Sequence, residues 1–154
     1  MPAEPKKPVE IVVAIGSTLL ADDIVATLRD DVAVERIRRA LVDHAAPDLE
    51  CVMVAPGYTG AGGRLAYHGI DGFFEAWREW VDAYETYTIE IEEVIEGPDG
   101  RVLNLARQRG TTRTGGVEVE EEAGAVWTIR DGRVVKVEFH LDRDMARRAA
   151  GLGE

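Results

Sequence analysis

Two hydrophobic periods divide this chain. From Val9 to Tyr84 apolar residues recur every three or four positions, and from Tyr87 onward they alternate; these are the spacings of a helix face and a strand face. Val9, Val12, Val13, Leu19 and Leu20 predict a first helix. Pro8 opens it, because a first-turn N–H has no partner to lose. Gly16 interrupts it at a cost of about 1 kcal/mol against Ala, which marks either a close helix crossing or a weak point. Asp22 is placed to cap a brief second helix carrying Ile24 and Leu28. A third, from about Val32, puts Val34, Ile37 and Leu41 on one face and turns Arg36, Arg38 and Arg39 mostly to water. Pro47 stops it, and ECVMVA over 50–55 predicts a short buried strand.

The stretch PGYTGAGG over 56–63 reads as a flexible loop. A glycine-rich loop that cradles phosphate needs a helix directly behind it, and RLAYHG intervenes here. Asp71 is placed to begin a long helix whose Phe73, Phe74, Trp77, Trp80, Val81 and Tyr84 make a wide apolar face. Those aromatics either fill a core or border a cavity. Next, Tyr87, Ile89 and Ile91 point one way while Thr88, Glu90 and Glu92 point the other, a strand with one wet face. GPDG at 97–100, TGG at 114–116 and RDGR at 130–133 separate extended runs, so four antiparallel strands follow. The last places Val135, Val137, Phe139 and Leu141 on one face, with Lys136, Glu138 and His140 on the other. DRDMARRAAGL closes the chain as a short helix capped by Asp142. Helices first and a strand meander second define an α+β fold with helices covering one side of a sheet.

Composition narrows the partners. Eighteen Lys and Arg against 29 Asp and Glu leave a net charge of -11, which repels phosphate backbones and argues against nucleic acid. No run approaches 18 consecutive apolar residues, so no membrane span is expected. The lone Cys51, in an apolar run, reads as a small core hydrophobe in a reducing compartment. The expectation is a soluble cytoplasmic protein: a loose tail over 1–7, then a single domain over 8–154.

Six strings occur in an order that resembles the SnoaL-like branch of the nuclear transport factor 2-like superfamily, which also holds ketosteroid isomerases, limonene epoxide hydrolases and scytalone dehydratases. They are PDLE at 47–50, YHGIDGFFEAW at 67–77, YTIEIEEVIE at 87–96, GGVEVE at 115–120, VWTIRDGRVVKV at 126–137 and DRDMARRAAGL at 142–152. The resemblance implies a cone: a strongly curved, mostly antiparallel sheet around the N-terminal helices and the long aromatic helix, enclosing an apolar pocket for a hydrophobic small molecule. It implies a homodimer through the outer sheet face, and cofactor-independent cyclase, isomerase, dehydratase or epoxide-opening chemistry.

Such enzymes place an ionisable group in an apolar pocket, where burial shifts its pKa. The positions that the resemblance assigns to the isomerase base and acid fall at about Met53 and Ala125, and the epoxide hydrolase acid at about Phe139. None of these is a carboxylate. The remaining catalytic candidates are Glu121, in phase with Ala123, Ala125 and Trp127 and open to neutralisation by Arg107, and His140 as an acid/base. Against them, VEVEEE reads as a solvated charge run and His140 as an outward strand residue. His68 before the aromatic helix reads as a turn histidine. Tyr58, Tyr67, Trp77, Trp127 and Phe139 are the candidate ligand-binding residues. H-x-D-x-D at 140–144 reads as a helix cap rather than a metal site, and no cofactor is expected. The other function class is a binding module or dimerisation scaffold without chemistry.

Overall fold

The computed structural model describes residues 7–20, 23–54 and 66–152. Three helices come first, α1 (Pro8–Leu19), α2 (Ile24–Arg29) and α3 (Asp31–His44), then β1 (Ala45–Val54), β2 (Ala66–His68) and the aromatic helix α4 (Gly69–Val81). Four strands and a last helix follow: β3 (Tyr84–Glu96), β4 (Arg101–Thr112), β5 (Glu118–Arg130), β6 (Arg133–His140) and α5 (Arg143–Ala149).

Local chemistry explains the helix starts. Asp30 accepts from the Val32 and Ala33 amides at the head of α3, and Asp142 does the same for Asp144 and Met145 at α5. At α2 the cap is Asp23, not the expected Asp22, which lies outside the described residues; its Oδ1 accepts from Val25 N at 3.1 Å and also from Tyr87 N at 2.9 Å. That second bond ties the helix to β3. Asp71 does not begin α4: it sits in the first turn, where it pairs with Arg38 at 2.9 Å. Tyr84 is not on the helix either, since α4 ends at Val81 and Tyr84 opens β3. The first strand is longer than ECVMVA and runs through Pro47, which is tolerated near a strand's start.

The six strands form one curved, unclosed sheet in the order β2-β1-β6-β5-β4-β3, with β1 parallel to β6 and every other pair antiparallel. The RDGR hairpin turns on Asp131 (φ 52) and Gly132 (φ 77), the left-handed pair that a two-residue type I′ loop demands. A bulge between Thr128 and Ile129 then shifts the register of β5 against β6. Consequently Val134 is fully buried and the expected Val135 only half so.

The two faces have separate cores. On the concave side α4, α1 and α2 pack their apolar stripes onto the sheet in one cluster that includes Ile15, Phe73, Phe74, Trp77 and Trp127. On the convex side α5 sets Ala146 and Ala150 against Leu103, Leu105 and Val126. Gly124 makes that contact possible, because a Cβ there would stand 2.8 Å from the Ala146 Cβ.

Candidate functional site

Strand alternation places Asn104, Ala106 and Gln108 of β4 on the concave face, opposite Ala125, Ala123 and Glu121 of β5. Three small side chains in the middle of that surface leave a gap that the helices do not close. The result is an interior cavity of about 50 Å³ whose wall includes Met53, Trp77, Trp80, Trp127 and Phe139. Trp77 and Trp127 flank Phe139 edge-on, with ring centroids 4.9 and 6.4 Å from it. All three tryptophans of the chain therefore border one space.

The polar groups in this wall are carboxamides. Asn104 and Gln108 are each only 7% exposed. Asn104 Oδ1 accepts from the Trp127 indole N–H at 2.7 Å, which fixes the orientation of the amide, since an indole nitrogen only donates. That leaves Asn104 Nδ2 with no hydrogen-bond partner among the described residues, and the whole Gln108 amide is in the same position. The Trp77 N–H is buried and likewise unpartnered among them. A fully buried polar group without a partner, as the Trp77 N–H is, costs roughly 1–3 kcal/mol.

The residues singled out from sequence separate into three groups. Trp77, Trp127 and Phe139 meet at the cavity. Tyr67 does not join them: it is fully buried on the other side of α4, its hydroxyl against Glu79. Tyr58 lies outside the described residues. Met53 and Ala125 also line the cavity, so the positions that the family resemblance assigns to catalytic acids do reach it and carry apolar side chains.

Glu121 stands on the concave face but at its exposed rim. With its cross-strand partner Gln108 it borders a smaller recess beside Trp80, Tyr84 and Tyr87. Burial first, and the nearby Glu121 charge after it, push the Tyr84 hydroxyl above its usual pKa. Tyr87 moves the same way, chiefly through burial, while accepting from Trp80 Nε1 at 2.9 Å. Arg107 does not neutralise Glu121. It projects from the convex face, where it pairs with Glu120 at 2.9 Å, Glu122 at 3.4 Å and Glu92 at 3.6 Å. Arg143 of α5 joins Glu92 and caps the Ala106 carbonyl, so this network pins α5 to the sheet.

His140 ends β6 at the edge of the cavity. Its ring shares the convex face with Glu138, whose Oε1 is 3.9 Å from Nε2, and its cross-strand partner is the Gly124 that α5 covers. Neither ring nitrogen has a hydrogen-bond partner among the described residues, and burial lowers its pKa against the opposing pull of Glu138 and Asp142. Asn104 and Gln108 escaped the sequence reading, although the alternation Val102, Asn104, Ala106, Gln108 was visible: polar and small residues on a face otherwise apolar.

A curved sheet wrapped on helices, with a pocket between them and no closed barrel, defines the cone-shaped α+β class. The chain belongs to the SnoaL-like domain family, whose model matches residues 17–137. Solved structures with the same fold include TerC co-crystallised with polyporic acid, 23% identical over 93% of this chain and 96% of that one (TM-score 0.64). Another is an NTF2-like protein from Burkholderia thailandensis E264, 18% identical over 96% and 97% (TM-score 0.66). A third is an NTF2-like protein of unknown function from Burkholderia pseudomallei K96243, 23% identical over 82% and 95% (TM-score 0.58). No curated protein matches the chain in sequence.

Proposed function

We propose that this chain binds a hydrophobic small molecule bearing a carbonyl or hydroxyl oxygen, held by its apolar walls and oriented by Asn104 and Gln108. The observation that carries the reading is the pair of buried carboxamides with unspent hydrogen-bonding capacity in an otherwise aromatic and aliphatic cavity. Such a site recognises an oxygen atom without transferring a proton to it. The polyporic acid co-crystallised with TerC is consistent with small-molecule binding on this fold. The homodimer implied by the family resemblance belongs to the same proposal: light scattering on the eluting protein is expected to give twice the 16.9 kDa chain mass, and a single chain mass refutes it.

Calorimetric titration with 4-ethylphenol and with ethylbenzene tests the reading, since the two differ only by the hydroxyl. The phenol binds at least tenfold more tightly, and Asn104→Leu with Gln108→Leu removes that preference. Equal affinity for the two, or a preference that survives the double change, refutes it.

A second reading, a cofactor-independent cyclase, isomerase, dehydratase or epoxide hydrolase, has one observation in its favour. Glu121 and Gln108 are cross-strand partners, and Gln108 borders both the recess and the main cavity. A carboxylate thus stands one residue from the cavity wall. Under this reading Glu121→Gln abolishes conversion of a bound ketone or epoxide while leaving its affinity nearly intact; unchanged turnover removes Glu121 from any mechanism.

A further inference from the structure

Among the described residues nothing packs against Gly16 closely enough to require glycine. It lies inside α1 with helical backbone, and a Cβ added there would meet, among the described residues, only the Leu20 Cδ1, at 4.0 Å. Neither a close helix crossing nor a left-handed turn accounts for it, yet the helix forgoes about 1 kcal/mol against Ala at that position. What Gly16 does border is space on two sides. It lines the interior cavity, and it lines an open groove of about 360 Å³ between α1 and β3. Leu20, Ile91, Asn104 and Trp127 are likewise shared by both, so groove and cavity adjoin across these residues.

The groove is apolar, and its lips, Val13 and Ile91, are 51% and 37% exposed. The interior alone is about a third of the ~150 Å³ dry cavity that admits benzene. The groove is roughly seven times larger and falls within the ~300–1,000 Å³ typical of small-molecule sites. Asn104, with its free Nδ2, sits where the two spaces join.

We infer that the α1–β3 groove is a second subsite, which takes the apolar extension of an elongated ligand whose oxygen-bearing head meets Asn104, and that Gly16 keeps the passage open. The inference rests on the pocket reading above and adds the shape of the ligand to it. The occupant is part of the same small molecule, because the groove adjoins the cavity across Gly16, Leu20 and Asn104 instead of standing apart from it.

Affinities of 4-ethyl-, 4-butyl- and 4-hexylphenol, measured by quenching of the three cavity tryptophans, test it. In the natural protein affinity rises by about two- to fourfold per added methylene, as apolar burial requires. Gly16→Leu flattens that dependence by filling the passage. Val13→Phe, at an exposed position that does not threaten folding and without adding a tryptophan, flattens it too. Gly16→Ala raises the melting temperature and keeps the slope. Ethylphenol binding without any gain from longer chains, or a slope that persists in Gly16→Leu and Val13→Phe, overturns the subsite and leaves the pocket standing. No saturable quenching by any of the three phenols in the natural protein overturns the pocket and the subsite together.

Discussion

Filling the interior cavity separates stability from binding. Ala106 is buried on the concave face, across the ladder from Ala123, and lines the empty space. At about 24 cal/mol per Å³, a 50 Å³ void costs the fold roughly 1.2 kcal/mol. Ala106→Val adds two carbons into that void from a strand position that favours β-branching. It is expected to stabilise the protein by about 1 kcal/mol, or 2–4 °C in melting temperature for a domain of this size. The same change lowers affinity for 4-ethylphenol at least tenfold. Ala146→Val is the control, an identical chemical change at a buried alanine. Ala146 already fills the place where a Gly124 side chain would stand, so the extra carbons overpack the α5 contact and cost about 1–3 kcal/mol. Thermal unfolding followed by circular dichroism, with the phenol titration alongside, reads both effects. A lower melting temperature for Ala106→Val combined with unchanged phenol binding refutes the argument, because the space beside Ala106 is then neither empty nor the binding site.

Asp23→Ala removes the α2 cap and the acceptor for Tyr87 N at once, and is expected to cost about 2–3 kcal/mol in urea unfolding; a loss below 1 kcal/mol means that the α2–β3 tie is idle. Burial keeps His140 neutral in the fold, so below its ordinary value of about 6.5 the unfolded chain binds the proton that the native state refuses. Stability therefore falls as pH drops from 6.5 toward the lowered native value. His140→Gln flattens the curve in that window alone, although Glu138, Asp142 and Lys136 still surround the site; an unchanged curve shows that the ring is not held neutral. Burial also pushes the Cys51 thiol up to about 12, so a thiol reagent at pH 8 labels it only as fast as the chain unfolds. Rapid labelling of the native protein contradicts that placement.

The element order was legible because it rests on local rules. Alternation from Tyr87 to Leu141, Asp-Gly turns and an Asp142 cap each act within a few residues, and the fold follows them. The family-bearing strings pointed to the cone for the same reason: they are the turns, strands, aromatic helix and closing helix that such a cone is made of. Errors clustered where elements meet. Tyr84 continues the helical apolar spacing of α4 yet belongs to β3, since the strand gains a long ladder partner there and the helix gains nothing. One bulge at Thr128 turned Val134 inward in place of Val135, and no local pattern announces a bulge.

The site divides along the same line. By itself, the sequence determined that Trp77, Trp127 and Phe139 are apolar, in phase and free of the carboxylates that the better-known relatives carry, because residue type and period need no partner to be read. Only the tertiary structure decided that these three meet around an unfilled space and that Arg107 and Glu121 stand on opposite faces. It also decided that Asn104 spends one half of its amide on Trp127 while the other half stays free, and that Gly16 borders open space. Each of these depends on how separate strands register and how the helices pack on them. Long-range pairing of that kind is set by the whole fold's packing, and no single stretch of chain contains it.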